Sequence, residues 1–295
     1  MNILSLFNGM STGHTALDNV GIKVGKYYSS EIKPAAIKLT QHHYPDTIQL
    51  GDVTKWKEWD IDWESIDMVL SGSPCQDLSQ MGKISHKHQK GLDGNRSSLF
   101  WVFVDILNHI KELNPKVLFL QENVGSAPKK DVGIMSRALG VYPVRINSKL
   151  VTAQLRDRYY WTNIKTKKDG FFGDVVTDIP QPKDKKILLK DILISGNTDR
   201  EKHTCLMEHY INAYTTKDDK YLKNFEKFII KRPSGMVTII KEEECLRLVN
   251  KIEMCRLQGF PDNWCDTLSY RDTGSLLGDG WTLPIIEHIF SFIKE

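Results

Sequence analysis

The sequence predicts an α/β fold, a doubly wound and mostly parallel sheet with a small second lobe. Three observations predict it. Short apolar runs of strand length alternate with helical stretches through the first 164 residues. The residues with chemical potential fall at the ends of those runs, where such sheets bind ligands. The rhythm then stops at Lys165, and lysines, prolines and polar residues interrupt it up to about Gly235.

Asn2 to Phe7 reads as the first strand, and the turn Asn8-Gly9-Met10-Ser11-Thr12-Gly13 leads into a helix ending near Val20. Tyr27 to Ser30 is a second strand, ending at Glu31. Pro34 suits a first helical position, so a helix runs from there to about His43. Thr47 to Leu50 is a third strand, followed by Gly51-Asp52-Val53. Ile66 to Leu70 and Val117 to Leu120 are the fourth and fifth, and Ser98 to Leu113, apolar at helical spacing, is the helix between them. Val144 to Thr152 and Tyr159 to Ile164 close the sheet. Beyond the lobe, Glu242 to Leu257 is predicted helical, stopped by Gly259 and Pro261. Pro284 opens an amphipathic helix to about Ile293. The expected organisation is a catalytic and cofactor domain over 1–164, a recognition region over 165–240 and a return segment over 241–295.

Composition narrows the class. The chain has 295 residues, 40% hydrophobic and 26% charged, enough for a substantial core. No run approaches the ~20 apolar residues of a membrane span. The start, MNILSLFNGM, has neither a basic n-region nor a small-residue cleavage site, which points to a cytosolic or nuclear setting or a host cytoplasm. The five cysteines include no C-x-x-C pair, and His86 and His88 have no third ligand, so neither a disulfide framework nor a metal site is expected. Lys165 to Gly235 carries 15 basic against 11 acidic residues, a local +4, within a net +3 for the whole chain. A basic lobe on a near-neutral body suits a polyanionic partner or an ordinary solvated surface equally well.

The turn after the first strand brings backbone close to a ligand at Gly9, but its spacing is neither that of a dinucleotide fold nor that of a phosphate loop. Glu31, 22 positions after Gly9, ends the second strand, where an acid accepts ribose hydroxyls. Asp52 is placed to accept from an adenine amino group, and Phe7 to stack on the ring. Ribose and adenine without a phosphate cradle point to S-adenosylmethionine. The residues assigned to it are Phe7, Asn8, Gly9, Met10, Ser11, Thr12, Glu31, Ile32, Asp52, Val53 and Pro74.

Cys75, in Gly72-Ser73-Pro74-Cys75-Gln76, precedes Glu122-Asn123-Val124 by 47 positions. A thiol and a carboxyl at neighbouring strand ends can meet over one substrate, and this pattern is what a cytosine C5-methyltransferase uses. Cytosine C5 is a poor nucleophile until a thiolate adds to C6, which is covalent catalysis. A Glu122 kept protonated by burial can donate to N3. Arg156 and Arg158 alternate before an aromatic strand and are expected to share a face, holding a phosphate and a pyrimidine carbonyl. Between Gln80 and Arg96 lies a cationic, His-rich and glycine-bearing stretch that suits a loop closing over DNA around a flipped base.

These residues together resemble the DNA cytosine-5 methyltransferase family over nearly the whole chain. Phe7-Asn8-Gly9 is similar to its first cofactor motif, with Asn8 where many members have Asp. The Pro-Cys, Glu-Asn-Val and Gln154-Leu155-Arg156-Asp157-Arg158 motifs follow in the family's order. Arg247 and Arg256-Leu257-Gln258-Gly259-Phe260-Pro261-Asp262 then fit the segment that seats the recognition region. The last motif, Gly278-Asp279-Gly280-Trp281, is similar to that of the animal de novo enzymes, and it implies cofactor contacts by Asp279, Gly280 and Trp281. The resemblance implies a stand-alone bacterial or phage-type enzyme in a bacterial or infected-host cytoplasm. It would act on double-stranded DNA beside a cognate restriction nuclease encoded elsewhere. Two alternatives remain on the residues alone. One is a tRNA cytosine-5 methyltransferase, although that branch's Cys-Phe-Thr signature has only Cys265-Asp266-Thr267 as a trace here. The other is a catalytically silent DNA-binding homologue.

Overall fold

A computed structural model describes residues 1–74, 98–171, 173–206, 238–243 and 246–293. Cys75, the cationic loop between Gln80 and Arg96, and residues 207–237 of the expected recognition region lie outside the described residues. The chain forms two compact units. The first comprises Met1–Ile146, Asp157–Gln181 and Ile286–Glu295; the second comprises Asn147–Arg156 and Pro182–Ile285. The 165–240 segment is thus shared between them.

The first unit is built on a seven-stranded sheet. Its strands are β1 (Ile3–Leu6), β2 (Tyr27–Ser30), β3 (Ile48–Gln49), β4 (Met68–Ser71), β5 (Leu118–Val124), β6 (Val144–Asn147) and β7 (Asp157–Thr162), in the order β3-β2-β1-β4-β5-β7-β6. β1 pairs parallel with both β2 and β4, and β4 parallel with β5. Every residue of β1, β2 and β4 is buried. Parallel strands covered on both faces read as continuous apolar runs, which is why these were visible in the sequence. β7 runs antiparallel to β5, with Glu122 opposite Tyr160. That pairing carries β5 on to Val124, so Glu122 lies inside the strand and not after it. Val144 to Thr152 is extended only to Asn147; a single 3-10 turn, Ser148–Leu150, follows, capped by Asn147.

The helices α1 (Thr12–Asn19), α2 (Pro34–His43), α3 (Ser98–Leu113) and α4 (Lys129–Leu139) cover the sheet. α2 begins at Pro34 as predicted. Phe100, Phe103, Ile106, Leu107 and Ile110 of α3 recur at helical spacing and bury against Leu4, Val69 and Phe119 of the strands. Gly13 lies where α1 crosses β4; a Cβ there would overlap Leu70 Cδ1 and approach the Tyr27 hydroxyl to 3.3 Å. A hairpin, β8 (Thr166–Asp169) and β9 (Asp174–Thr177), follows β7.

The second unit carries β10 (Ile240–Lys241) paired antiparallel with β11 (Leu246–Arg247), then α5 (Lys251–Gln258) and α6 (Tyr270–Asp279). The helix predicted over Glu242 to Leu257 is therefore shorter. Asn250 caps it by accepting from Glu253 N, and Glu253 returns the bond to Asn250 N, both at 2.9 Å. Upstream, the Arg247 guanidinium bridges Glu242 at 2.5 Å and the fully buried Glu253 at 2.7 Å, which holds the chain in an extended pair. α6 starts at a Ser269 cap that accepts from Asp272 N at 3.1 Å. The last helix, α7 (Leu283–Phe290), opens one residue before Pro284; its Glu287 accepts from Asn19 of α1 at 2.5 Å. No described helix is long and apolar enough to cross a membrane.

Two outcomes follow from this packing. Gly13→Ala overpacks the α1–β4 contact and is expected to cost roughly 1–3 kcal/mol, read by denaturant unfolding, with Leu70→Val recovering part of the loss. His203 of the second unit is buried, and burial pulls its imidazole down to about 4. Its ordinary value is near 6.5. Protonation is thus disfavoured in the folded state, so stability is full above about pH 6.5, falls below it and levels off beneath about pH 4. His203→Gln should flatten that portion of the unfolding profile.

Candidate active site

Strand order reverses about β1: β2 lies on one side and β4 on the other. Crevices for ligands open at the carboxyl ends of strands at such a point. The loop after β1, Glu31 after β2, Asp52 after β3, Ser73-Pro74 after β4 and Glu122 near the end of β5 all gather along this edge.

The loop after β1 is conformationally unusual. Phe7, Gly9 and Ser11 all have positive φ, at 55°, 58° and 59°. A non-glycine residue there is strained and persists only where its surroundings over-determine it. Gly9 N donates to Glu31 Oε2 at 2.8 Å, and Ile32 N and Lys33 N donate to Oε1 at 2.8 and 2.9 Å. The carboxylate thus pins the first loop to the start of α2. A Cβ on Gly9 would come no nearer than 4.0 Å to Phe7 O, so the space over this backbone is open. That cradle fits a ligand laid against the main chain. Met10, Ser11 and Thr12 are buried, whereas Ile32 is 69% exposed. Val53 also sits in the core. Asp52 Oδ1 accepts from Thr54 N and Thr54 Oγ1, both at 2.9 Å, and these bonds hold its carboxyl below the usual carboxylate range.

The carboxyl ends of β4 and β5 are joined by a buried amide. Ser71 stands opposite Gln121 in register. Gln121 Nε2 donates to Ser73 Oγ at 3.0 Å and to Glu122 O at 2.7 Å. The residues leading to Cys75 are therefore tied to the strand that bears Glu122. Glu122, 8% exposed, meets Arg158 Nε at 2.7 Å. Antiparallel pairing makes this possible: Arg158 is two residues before Tyr160, so it shares Glu122's face.

Arg156 does not join Arg158. Its side chain, 3% exposed, donates to Gly280 O at 2.8 Å and to Cys205 Sγ at 3.3 Å. The expected pair on one face is thus not formed, because Arg156 precedes β7 and belongs to the second unit. There it anchors the turn Asp279-Gly280-Trp281 at the end of α6. Gln154 is likewise buried, accepting from Leu206 N at 2.8 Å. The contacts that sequence reasoning missed are those of Gln121 and Ser73. Their signal was a polar residue at each of two buried strand ends, Gln before Glu122 and Ser before Pro74.

The family model for C-5 cytosine-specific DNA methylases matches residues 1–295, and the chain belongs to that family. Among individual proteins it is similar to the type II methyltransferase M1.ScrFI of Lactococcus lactis subsp. cremoris, 28% identical over 92% of this chain and 74% of that protein. It is also similar to the type II methyltransferase M.NlaIV of Neisseria lactamica, 30% identical over 66% of this chain and 47% of the relative. The orphan methyltransferase M.SPRI of Bacillus phage SPR is 30% identical over 56% of this chain and 38% of its own length. The chain thus spans less than half of these last two. Of solved structures, the Dnmt2 methyltransferase of S. pombe shares the fold, with a TM-score of 0.63 at 15% identity over 99% of this chain and 98% of that one.

Glu31→Ala would leave three N–H groups without their acceptor. The expected loss is roughly 1.5–3 kcal/mol of unfolding free energy, the worth of hydrogen bonds to a charged group. Denaturant titration of the variant near neutral pH measures it.

Proposed function

We propose that this chain transfers a methyl group from S-adenosylmethionine to C5 of cytosine in double-stranded DNA at a specific site, through covalent addition of Cys75 to C6 of a base turned out of the duplex. The observation that carries the reading is Glu122, oriented by Arg158 at 2.7 Å and tied through Gln121 to the segment before Cys75. Family membership supplies the base and the position on it.

Residues 7–12, Glu31, Ile32, Asp52, Val53 and Pro74 would hold the cofactor, with Asp279, Gly280 and Trp281 added from the family motif. When bound, S-adenosylmethionine supplies an electrophilic methyl group on sulfur. The chain's own residues do the rest. A Cys75 thiolate adds to C6 and breaks the C5–C6 double bond, while Glu122 donates a proton at N3 to take up the charge. Arg158 holds Glu122 Oε1 in place. After C5 is methylated the C5 proton leaves to a base, for which water serves; Cys75 is expelled as the C5–C6 double bond reforms, and the N3 proton returns to Glu122. The lysines of 165–240 would add phosphate affinity that weakens with salt. Relatives named as type II enzymes support a restriction-modification setting with a nuclease encoded elsewhere.

The test is methyl transfer from labelled S-adenosylmethionine to unmethylated genomic DNA and to total tRNA in parallel, with bisulfite sequencing of the product. Label in DNA as 5-methylcytosine in one sequence context supports the proposal; label only in tRNA moves the substrate to RNA. Cys75→Ser should abolish transfer and keep DNA binding. Glu122→Gln should slow single turnover about 10²–10⁴-fold, the usual worth of acid–base catalysis. A 5-fluorocytosine duplex should trap an adduct at Cys75, and peptide mapping to any other residue would refute the nucleophile.

A further inference from the structure

Asn8 stands where the family commonly has Asp, and its side chain bonds to three neighbouring hydroxyls. Nδ2 donates to Ser11 Oγ at 2.8 Å and to Thr40 Oγ1 at 3.2 Å. Oδ1 accepts from the Tyr27 hydroxyl at 3.1 Å. Ser11 and Thr40 hydroxyls lie 2.8 Å apart, and Thr40 Oγ1 reaches Gly9 O at 3.5 Å. Ser11, Tyr27 and Thr40 are at most 3% exposed.

One arrangement of hydrogens uses every contact in this cluster. The amide's two N–H bonds go to Ser11 and Thr40, so both hydroxyls are acceptors from Asn8. With Thr40 donating to Gly9 O, Ser11 must donate to Thr40. Tyr27 donates to the amide oxygen, and burial keeps that phenol protonated. A carboxylate at position 8 has no hydrogen to donate. It would draw the Ser11 and Thr40 hydrogens toward itself, remove the donor to Gly9 O and place a charge beside buried hydroxyls.

The cluster touches two of the three positive-φ positions, Gly9 and Ser11. It fixes Ser11, holds Gly9 O and bonds from the residue between Phe7 and Gly9. Thr40 reaches it from α2, 32 positions away. We infer that Asn8, Tyr27 and Thr40 are positioning residues that hold the loop after β1 in the shape the cofactor meets, and that Asn is required at position 8 for this chain. The inference rests on the proposed S-adenosylmethionine reading.

Calorimetric titration with S-adenosylmethionine tests it, alongside melting of each protein without cofactor. Asn8→Asp, a change toward the common family residue, should weaken binding about tenfold or more, the equivalent of one buried hydrogen bond. Thr40→Val should weaken binding several-fold, and Thr40→Ser, which keeps the hydroxyl, should restore it to near the wild-type value. In turnover of Thr40→Val, KM for the cofactor should rise while kcat at saturation stays within about twofold. Wild-type affinity in Asn8→Asp overturns the inference. Should Asn8→Asp fail to fold, Thr40→Val decides: unchanged affinity overturns the inference, and a loss restored by Thr40→Ser upholds it. A wild-type protein that binds no S-adenosylmethionine overturns the cofactor reading instead.

Discussion

β1 pairs in parallel with β2 on one side and with β4 on the other, so the connections that leave these strands part company over the sheet's carboxyl edge. The chain crosses on opposite faces there because the parallel connections share one right-handed crossover while the strand order runs in opposite directions from β1. Among the described residues of the first unit, Glu31, Asp52, Ser73 and Glu122 are delivered to that edge at or near the ends of strands. The strands are buried on both faces and cannot slide by one residue without turning core side chains outward. Positions of Glu31 and Glu122 are therefore set by core packing, and the loops need only small adjustments.

Those adjustments are made by hydrogen bonds that leave little freedom. Glu31 gathers three backbone amides, and Gln121 bonds both Ser73 and the carbonyl of Glu122. Arg158 restrains one oxygen of Glu122. In the second unit Arg156, Arg247 and Gln154 act in the same way on backbone and carboxylate groups. Two arginines of one short motif thus do different work: one faces the acid, and the other supports a turn.

Much of the frame was legible from residues alone, for physical reasons. Tyr27–Ser30, Pro34–His43 and Ser98–Leu113 were read to the residue, since buried parallel strands and a proline at a helix start leave strong local marks. α4 and α6 were not read, although Gly140 and the Ser269 cap mark their ends. The helix predicted from Glu242 failed because ion pairs of Arg247 outweigh local propensity there. Arg156 was placed in the wrong setting for a related reason. Antiparallel pairing with β7 and a carbonyl 124 positions away are long-range facts that periodicity does not carry. The same holds for Thr40 beneath the loop of Asn8.

In the proposed cofactor site Glu31 has a consequence for ligand selectivity. A carboxylate offers about four acceptor positions, and three are already filled by the amides of Gly9, Ile32 and Lys33. One hydroxyl of a bound sugar can be accepted at no loss, and a second only by sharing or displacing an amide. A vicinal diol therefore gains less than twice what a single hydroxyl gains, and a deoxysugar analogue should lose little affinity if the hydroxyl it lacks is the one that must compete.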